Sequence, residues 1–257
     1  MKKIAKEIPF QKILAPLSLF VFLVLLLEYL INHDIVQAYL LPRPSEVWWS
    51  LTHDTVEYFE ATQTTLIEAI AGLALSVVVG ISFAALLSVS KWVEATLYPY
   101  AIFFQTVPLI SIAPVLVIWF GYGIPTVIIS AFIVSLFPII INTLAGIRAT
   151  DPALQDLFSL YGSTRWQRLM KLRIPYAIPQ IISGVKISSG LAMIGAIVGE
   201  FIAGGGLGGL IDVSRTQQRL DKVFSAVLIA SLLGILMMLA LHILTITAFR
   251  RWRDLKA

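Results

Sequence analysis

Residues 98–146 read YPYAIFFQTVPLISIAPVLVIWFGYGIPTVIISAFIVSLFPIIINTLAG, a stretch without a single charged side chain. A bilayer core takes about 20 apolar residues per helix, so this segment is long enough for two crossings. Gly121-Tyr122-Gly123-Ile124-Pro125 supplies the turn chemistry that divides it, giving spans at 98–120 and 124–146 joined by a tight reversal. Working outward, four more apolar runs of spanning length occur at 13–31, 64–89, 177–203 and 223–248. The expected fold is therefore all-α: a polytopic membrane protein of about six transmembrane helices, folded as a single transmembrane domain over 1–257.

Composition supports this. Of 257 residues, 58% are hydrophobic and 13% charged, against about 25% charged in soluble domains; the mean hydropathy is +0.87. Without cysteine there is no disulfide framework, thiolate metal site or thiol nucleophile. His33, His53 and His242 are dispersed, which argues against a zinc site. The net charge of +4 comes from basic residues flanking the apolar runs, so it speaks for membrane topology and not for nucleic acid. The run at 13–31 is longer than a signal-peptide core and ends in Asn32-His33-Asp34 without a small-residue cleavage pattern, so it reads as a retained span.

The basic residues set an orientation. With the N-terminus inside, fourteen of the 19 fall in inner segments: Lys2, Lys3, Lys6, Lys12, Lys91, Arg148, Arg165, Arg168, Lys171, Arg173, Arg250, Arg251, Arg253 and Lys256. Arg43, Arg215, Arg219 and Lys222 fall outside, and Lys186 lies within a span. The positive-inside bias then predicts both termini cytoplasmic. Between the first two spans, Ser45 is placed to cap a short outer helix, Glu46 suits its dipole, and Trp48 and Trp49 suit the headgroup layer.

The longest inner loop, Arg148 to Pro175, has its own pattern. Asp151-Pro152 is a helix start, since Asp caps free amides and Pro loses nothing at the first helical position. Leu154, Leu157, Phe158 and Tyr161 follow as one apolar stripe. Gly162 breaks the helix, Thr164-x-x-Gln167 forms a capping box for a second basic segment, and Pro175 ends that segment. A stripe outside the bilayer needs cover from the lipid interface, the protein's own helix ends, or a soluble partner.

The loop resembles that of importer permeases of the ATP-binding-cassette superfamily. Asp156-Leu157-Phe158, three spacers, Gly162, nine residues and Leu172-Arg173-Ile174-Pro175 reproduce the family spacing, with Leu157 and Phe158 where the family has two small residues. Leu41-Pro42-x-Pro44-Ser45-Glu46-Val47, Pro108-Leu109-Ile110-Ser111-Ile112-Ala113-Pro114, Trp119-Phe120-Gly121 and Gly206-Leu207-Gly208 resemble the nitrate, sulfonate and taurine branch, and the likeness runs from about residue 40 to 250. It implies a type I importer permease in the cytoplasmic (inner) membrane, a homodimer of permeases, two cytoplasmic ATPase subunits and an extracytoplasmic substrate-binding protein. Asp156, Leu157, Phe158, Tyr161, Gly162 and Pro175 would then couple the permease to its ATPase.

No chemistry of the chain's own is expected. Without Gly-Lys-Ser or Gly-Lys-Thr there is no phosphate-binding loop, so ATP hydrolysis belongs to a partner, and no cofactor or metal is expected. Gly204–Gly209 reads as a flexible or close-packing turn. Ionisable residues inside spans are costly and so draw attention: Glu28 and Glu68 near outer ends, with snorkelling their simplest account, then Lys186 and Glu200. Candidates to line a translocation path are Gln105, Thr106 and Ser111 around Pro108 and Pro114, together with Lys186, Ser188, Ser189 and Glu200. Small and hydroxyl residues also serve helix packing, so either role fits. The cargo is a small nutrient: nitrate, a sulfonate such as taurine, or, as Lys186 is the one cation within the spans, a neutral thiamine-precursor pyrimidine or flavin. An ion-coupled transporter or a membrane scaffold is the alternative. An ion-coupled transporter would call for midplane acids or matching broken helices.

Overall fold

In the computed structural model, residues 10–37 and 39–254 are described, and they form helices without a strand. Lys2, Lys3, Lys6 and Lys256 of the inner basic set lie outside the described residues. In chain order the helices are α1 (Phe10–Asn32), α2 (Pro44–His53), α3 (Thr55–Leu87), α4 (Lys91–Thr106), α5 (Leu109–Phe120) and α6 (Ile124–Arg148). They continue with α7 (Pro152–Leu160), α8 (Arg165–Arg168), a π-helical turn (Leu169–Arg173), α9 (Ile174–Ala203), α10 (Gly206–Thr216) and α11 (Leu220–Asp254). Five helices are long and apolar enough to cross a membrane, and α5 is a shorter apolar helix.

The expected span at 98–120 is not one helix. Val107 and Pro108 are extended (ψ 121° at both), and they split the segment into α4 and α5. Proline has no N–H to donate and disfavours helix in the residue before it, which puts the break here. The two short helices cover that stretch in succession.

α3, α6 and α9 form the centre, and small residues let their backbones meet. A Cβ on Gly72 would lie 2.5 Å from the Ala131 Cβ, and one on Gly195 would lie 2.8 Å from the Ala131 Cα and the Ser130 carbonyl oxygen. Hydroxyls add cross-links. Ser76 and Ser135 Oγ atoms are 2.6 Å apart, and Ser188 Oγ donates to the Ser135 carbonyl at 2.6 Å. These three hydroxyls are satisfied inside the bundle, as a low-dielectric interior favours.

The bundle has two ends. Arg148, at the end of α6, is ion-paired with Glu94 in the first turn of α4, so these termini meet at the end that carries α7. At the opposite end Gly123 N donates to the Ala203 carbonyl (3.1 Å), and Ser225 Oγ to the Val47 carbonyl (3.3 Å). α2, α10 and the starts of α3, α6 and α11 gather there. Ser45 is not the α2 cap: the helix begins at Pro44 after Arg43, whose N–H is taken by Glu46 Oε2 at 3.2 Å. Glu28 does not simply snorkel. Its carboxylate accepts from Ser45 Oγ (2.8 Å) and Ser45 N (3.1 Å), tying α1 to the first turn of α2.

Candidate functional site

α7 is built by its caps. Asp151 Oδ1 accepts from Ala153 N at 2.8 Å, Pro152 takes the first helical position, and Gln155 Nε2 donates to the Thr150 carbonyl at 2.9 Å. The helix stops because Gly162 turns left-handed (φ +69°), a conformation costly for residues with a Cβ. The Ser163 hydroxyl then returns to the Phe158 carbonyl, and Thr164 and Gln167 close the capping box at 2.9 and 3.2 Å. Arg168 reaches back to Ser159, fixing α8 against α7.

No residue of α7 is buried. Leu154, Asp156 and Leu157 are exposed, Phe158 is half-buried, and Leu160 and Tyr161 stand 86% and 83% exposed. Pro175 does not end the basic segment. The chain runs helically from Arg165 through the π-helical turn into α9, and Pro175 sits in the first turn of α9, where its missing N–H costs little. Leu169, buried against Ile147 and Ala177, anchors that run to the bundle. The loop is therefore rigidly joined to α9 while its apolar stripe is uncovered.

The path candidates separate into two groups. Gln105 and Thr106 end α4 and Ser111 lies in the first turn of α5; all three are exposed beside the Val107–Pro108 break. Thr106 Oγ1 bonds the Phe103 carbonyl at 2.8 Å. Ser188 and Ser189 are instead fully buried in the packing of the bundle. Ser188 is bonded to Ser135 as above, and Ser189 Oγ donates to the Lys186 carbonyl at 2.7 Å, so their hydroxyls serve packing and face no open surface. Lys186 Nζ lies 2.9 Å from His242 Nδ1 on α11.

This architecture can be compared with known proteins. The sequence profile of the binding-protein-dependent transport system inner membrane component family matches residues 72–249. The chain belongs to that family. It is the multi-pass inner-membrane permease component of an ATP-binding-cassette importer. The formylaminopyrimidine transport permease protein of Halalkalibacterium halodurans is 37% identical over 84% of this chain and 87% of its own length. The riboflavin transport system permease protein of Chloroflexus aurantiacus is 32% identical, over 69% and 68%. Among solved structures, an inward-facing MetNI methionine transporter superposes with a TM-score of 0.63 at 17% identity, over 73% of this chain and 94% of that one, a likeness of fold.

One feature of the permease escapes sequence reasoning. Glu68 of α3 is 2% exposed and Glu200 of α9 is fully buried, the latter against the wall of an open cavity at this end. Glu200 Oε2 accepts from Gly208 N at 2.8 Å, and Thr65 Oγ1 accepts from Leu207 N at 2.9 Å, both at the start of α10. The turn above them needs glycine. Gly204, Gly205 and Gly206 have φ of +81°, +91° and +51°, and a Cβ on Gly206 would fall 2.0 Å from Glu200 Oε1. The glycine run is thus a close-packing turn over a carboxylate. The available sequence signal was an acid just before that run.

Proposed function

We propose that two copies of this chain form the translocation path of an importer for a small neutral heterocycle of the pyrimidine type. Cytoplasmic ATPase subunits would seat on α7, and an extracytoplasmic binding protein would deliver the cargo. The observation that carries the substrate class is the likeness to the formylaminopyrimidine permease across most of both chains. The electrostatics agree with a neutral cargo: Lys186 is the one cation in the expected spans among the described residues, and one of its N–H donors is taken up by His242 Nδ1 at 2.9 Å. The bias of basic residues toward the α7 end puts that end, and both termini, in the cytoplasm.

The mechanism follows from rigidity. α7 offers Leu157, Leu160 and Tyr161 to a partner groove, with Asp156 beside them and Gly162 setting the exit angle. ATP-driven closure of the ATPase pair draws the two α7 helices together. The helical run from Arg165 carries that motion into α9, which packs on α3 and α6. The path then reopens outward to receive cargo. The chain contributes positioning and a passage; bond breaking is left to the ATPase.

The test is a detergent pull-down with wild-type chain and a Gly162→Pro variant, followed by uptake of labelled formylaminopyrimidine in proteoliposomes holding the ATPase and binding protein. Proline cannot adopt φ +69°, so the variant should lose the ATPase that the wild type recovers. Folded wild-type protein that recovers no ATPase would favour an ion-coupled transporter or scaffold. Uptake of a sulfonate in place of the heterocycle would overturn the substrate class.

A further inference from the structure

The Glu68–Glu200 pair takes no part in the coupling just described, and its chemistry is unusual. Both carboxyl groups are buried beneath the start of α10: Glu200 under Gly208, and Glu68 on α3 one turn beyond Thr65, which lies under Leu207. Each leaves one buried oxygen, Glu68 Oε2 and Glu200 Oε1, without a hydrogen-bond partner. An ionised carboxylate only accepts, so two carboxyl groups can satisfy such oxygens in each other only with a proton between them. No cation neutralises the pair among the described residues: Arg215 is bound to Asp212, Arg219 to Asp221, and Lys222 to Asp54 and Glu57. Two bare carboxylates buried side by side would combine desolvation with repulsion.

We infer that Glu68 and Glu200 share a single proton and form a protonation-dependent latch that holds α3, α9 and α10 together. Glu200 is the anionic member, because Gly208 N and the N-terminus of α10 supply a donor and a positive dipole end. Glu68 has no amide donor and holds the proton. Glu68 Oε2 and Glu200 Oε1, the two buried oxygens otherwise without a partner, are those a shared proton satisfies. Through Gly208, and through Leu207 on Thr65, one proton ties three helices.

The groups around the pair sharpen its response. A cavity of about 550 Å³ opens beside Glu200 at this end, lined by Glu57, Glu60 and Thr64 of α3, Asp212 of α10, the glycine turn, and Tyr122. Lys222 of α11 is held by Asp54 and Glu57. Loss of the proton would place two negative charges against this acidic lining and drive α3 away from the glycine turn, opening the cavity inward.

Infrared spectroscopy of the purified full-length protein tests this without reference to transport, so its outcome is independent of the function proposed above. At neutral pH the wild type should show a protonated carboxylic-acid carbonyl band that shifts in heavy water. Glu68→Gln should abolish it, and Glu60→Gln, an exposed control, should not. Because the folded pair holds one proton more than the unfolded chain, stability should fall as pH rises, with the unfolding constant growing by at most about tenfold per pH unit. Glu68→Gln keeps an N–H donor that cannot ionise and should lose that dependence. If Glu68→Gln does not fold, the Glu68→Ala/Glu200→Ala double variant, which leaves no buried charge, replaces it in both measurements. Absence of the acid band in the wild type, its persistence in the variant, or equal pH dependence of both proteins would overturn the latch.

Discussion

Replacing Gly206 by alanine probes the turn over Glu200, and Gly204→Ala supplies the control within the same three residues. Both positions have positive φ (+51° and +81°), so each variant carries about 1–2 kcal/mol of backbone strain. They differ in what the new methyl meets. Nothing lies within 4 Å of a Cβ on Gly204, whereas on Gly206 it falls 2.0 Å from Glu200 Oε1 and 2.6 Å from Thr65 Oγ1. The carboxylate must therefore move and give up its bond from Gly208 N, which as a charged hydrogen bond contributes about 1.5–3 kcal/mol. Gly206→Ala should then cost about 2.5–5 kcal/mol in all. At about 2–4 °C per kcal/mol for a chain of this size, its Tm should fall by about 5–20 °C, and that of Gly204→Ala by about 2–8 °C. Thermal unfolding of detergent-purified protein, followed by size-exclusion fluorescence, reads both. In a Glu200→Ala background the added cost of Gly206→Ala should shrink to the strain contribution, a coupling expected of groups in contact. Equal losses for the two glycines, or no coupling to Glu200, would refute a carboxylate wedged beneath the turn.

Leu160→Asp should leave stability within about 0.5 kcal/mol, because no residue of α7 is buried, yet lower ATPase recovery in the pull-down by about tenfold or more. Gly195→Val should push α9 off α6 at a cost of about 1–3 kcal/mol, whereas Gly190→Ala, with nothing within 4 Å, should melt with the wild type. The chain has no cysteine, so single substitutions are clean probes. In membranes Ser111→Cys should react with a water-soluble maleimide and Ile118→Cys, exposed on the same helix, should not. Resistance of Ser111→Cys would move the path away from the α4–α5 break.

Much of this architecture is legible because hydropathy and capping are local signals. The apolar run at 124–146 and α6 share a start, and Asp151-Pro152 opens α7 where an Asp–Pro pair should. What failed depended on the backbone or on distant contacts. Hydropathy cannot register that Val107 and Pro108 leave the helix, since both halves are equally apolar. Pro175 reads as a terminator in isolation, yet one turn of π-helix delivers it to the start of α9, where proline is tolerated. A hydroxyl in a span has two uses, and the bond from Ser188 to the Ser135 carbonyl is a contact that no local pattern announces. Glu68 and Glu200 lie on helices far apart in sequence, and no periodicity on either announces the other.

These differences sort the permease into a part built to stay and a part built to move. Where α3, α6 and α9 meet, backbones touch through Gly72 and Gly195, and the hydroxyls of Ser76, Ser135 and Ser188 are consumed within the bundle. Such an interface is bistable at most, since sliding would break several bonds and expose polar groups in a medium with none to offer. α4 and α5 lack that grip: they sit at the margin, interrupted at Pro108, with Gln105, Thr106 and Ser111 exposed within an otherwise apolar stretch. Polar side chains there are stable only against water or another protein surface, not against lipid tails. In the proposed dimer the second copy would supply that surface, and a wet seam between two such margins would be a passage. If the proposed coupling helix moves α9 as a rigid arm, the interrupted helices are the natural place for the seam to widen and close.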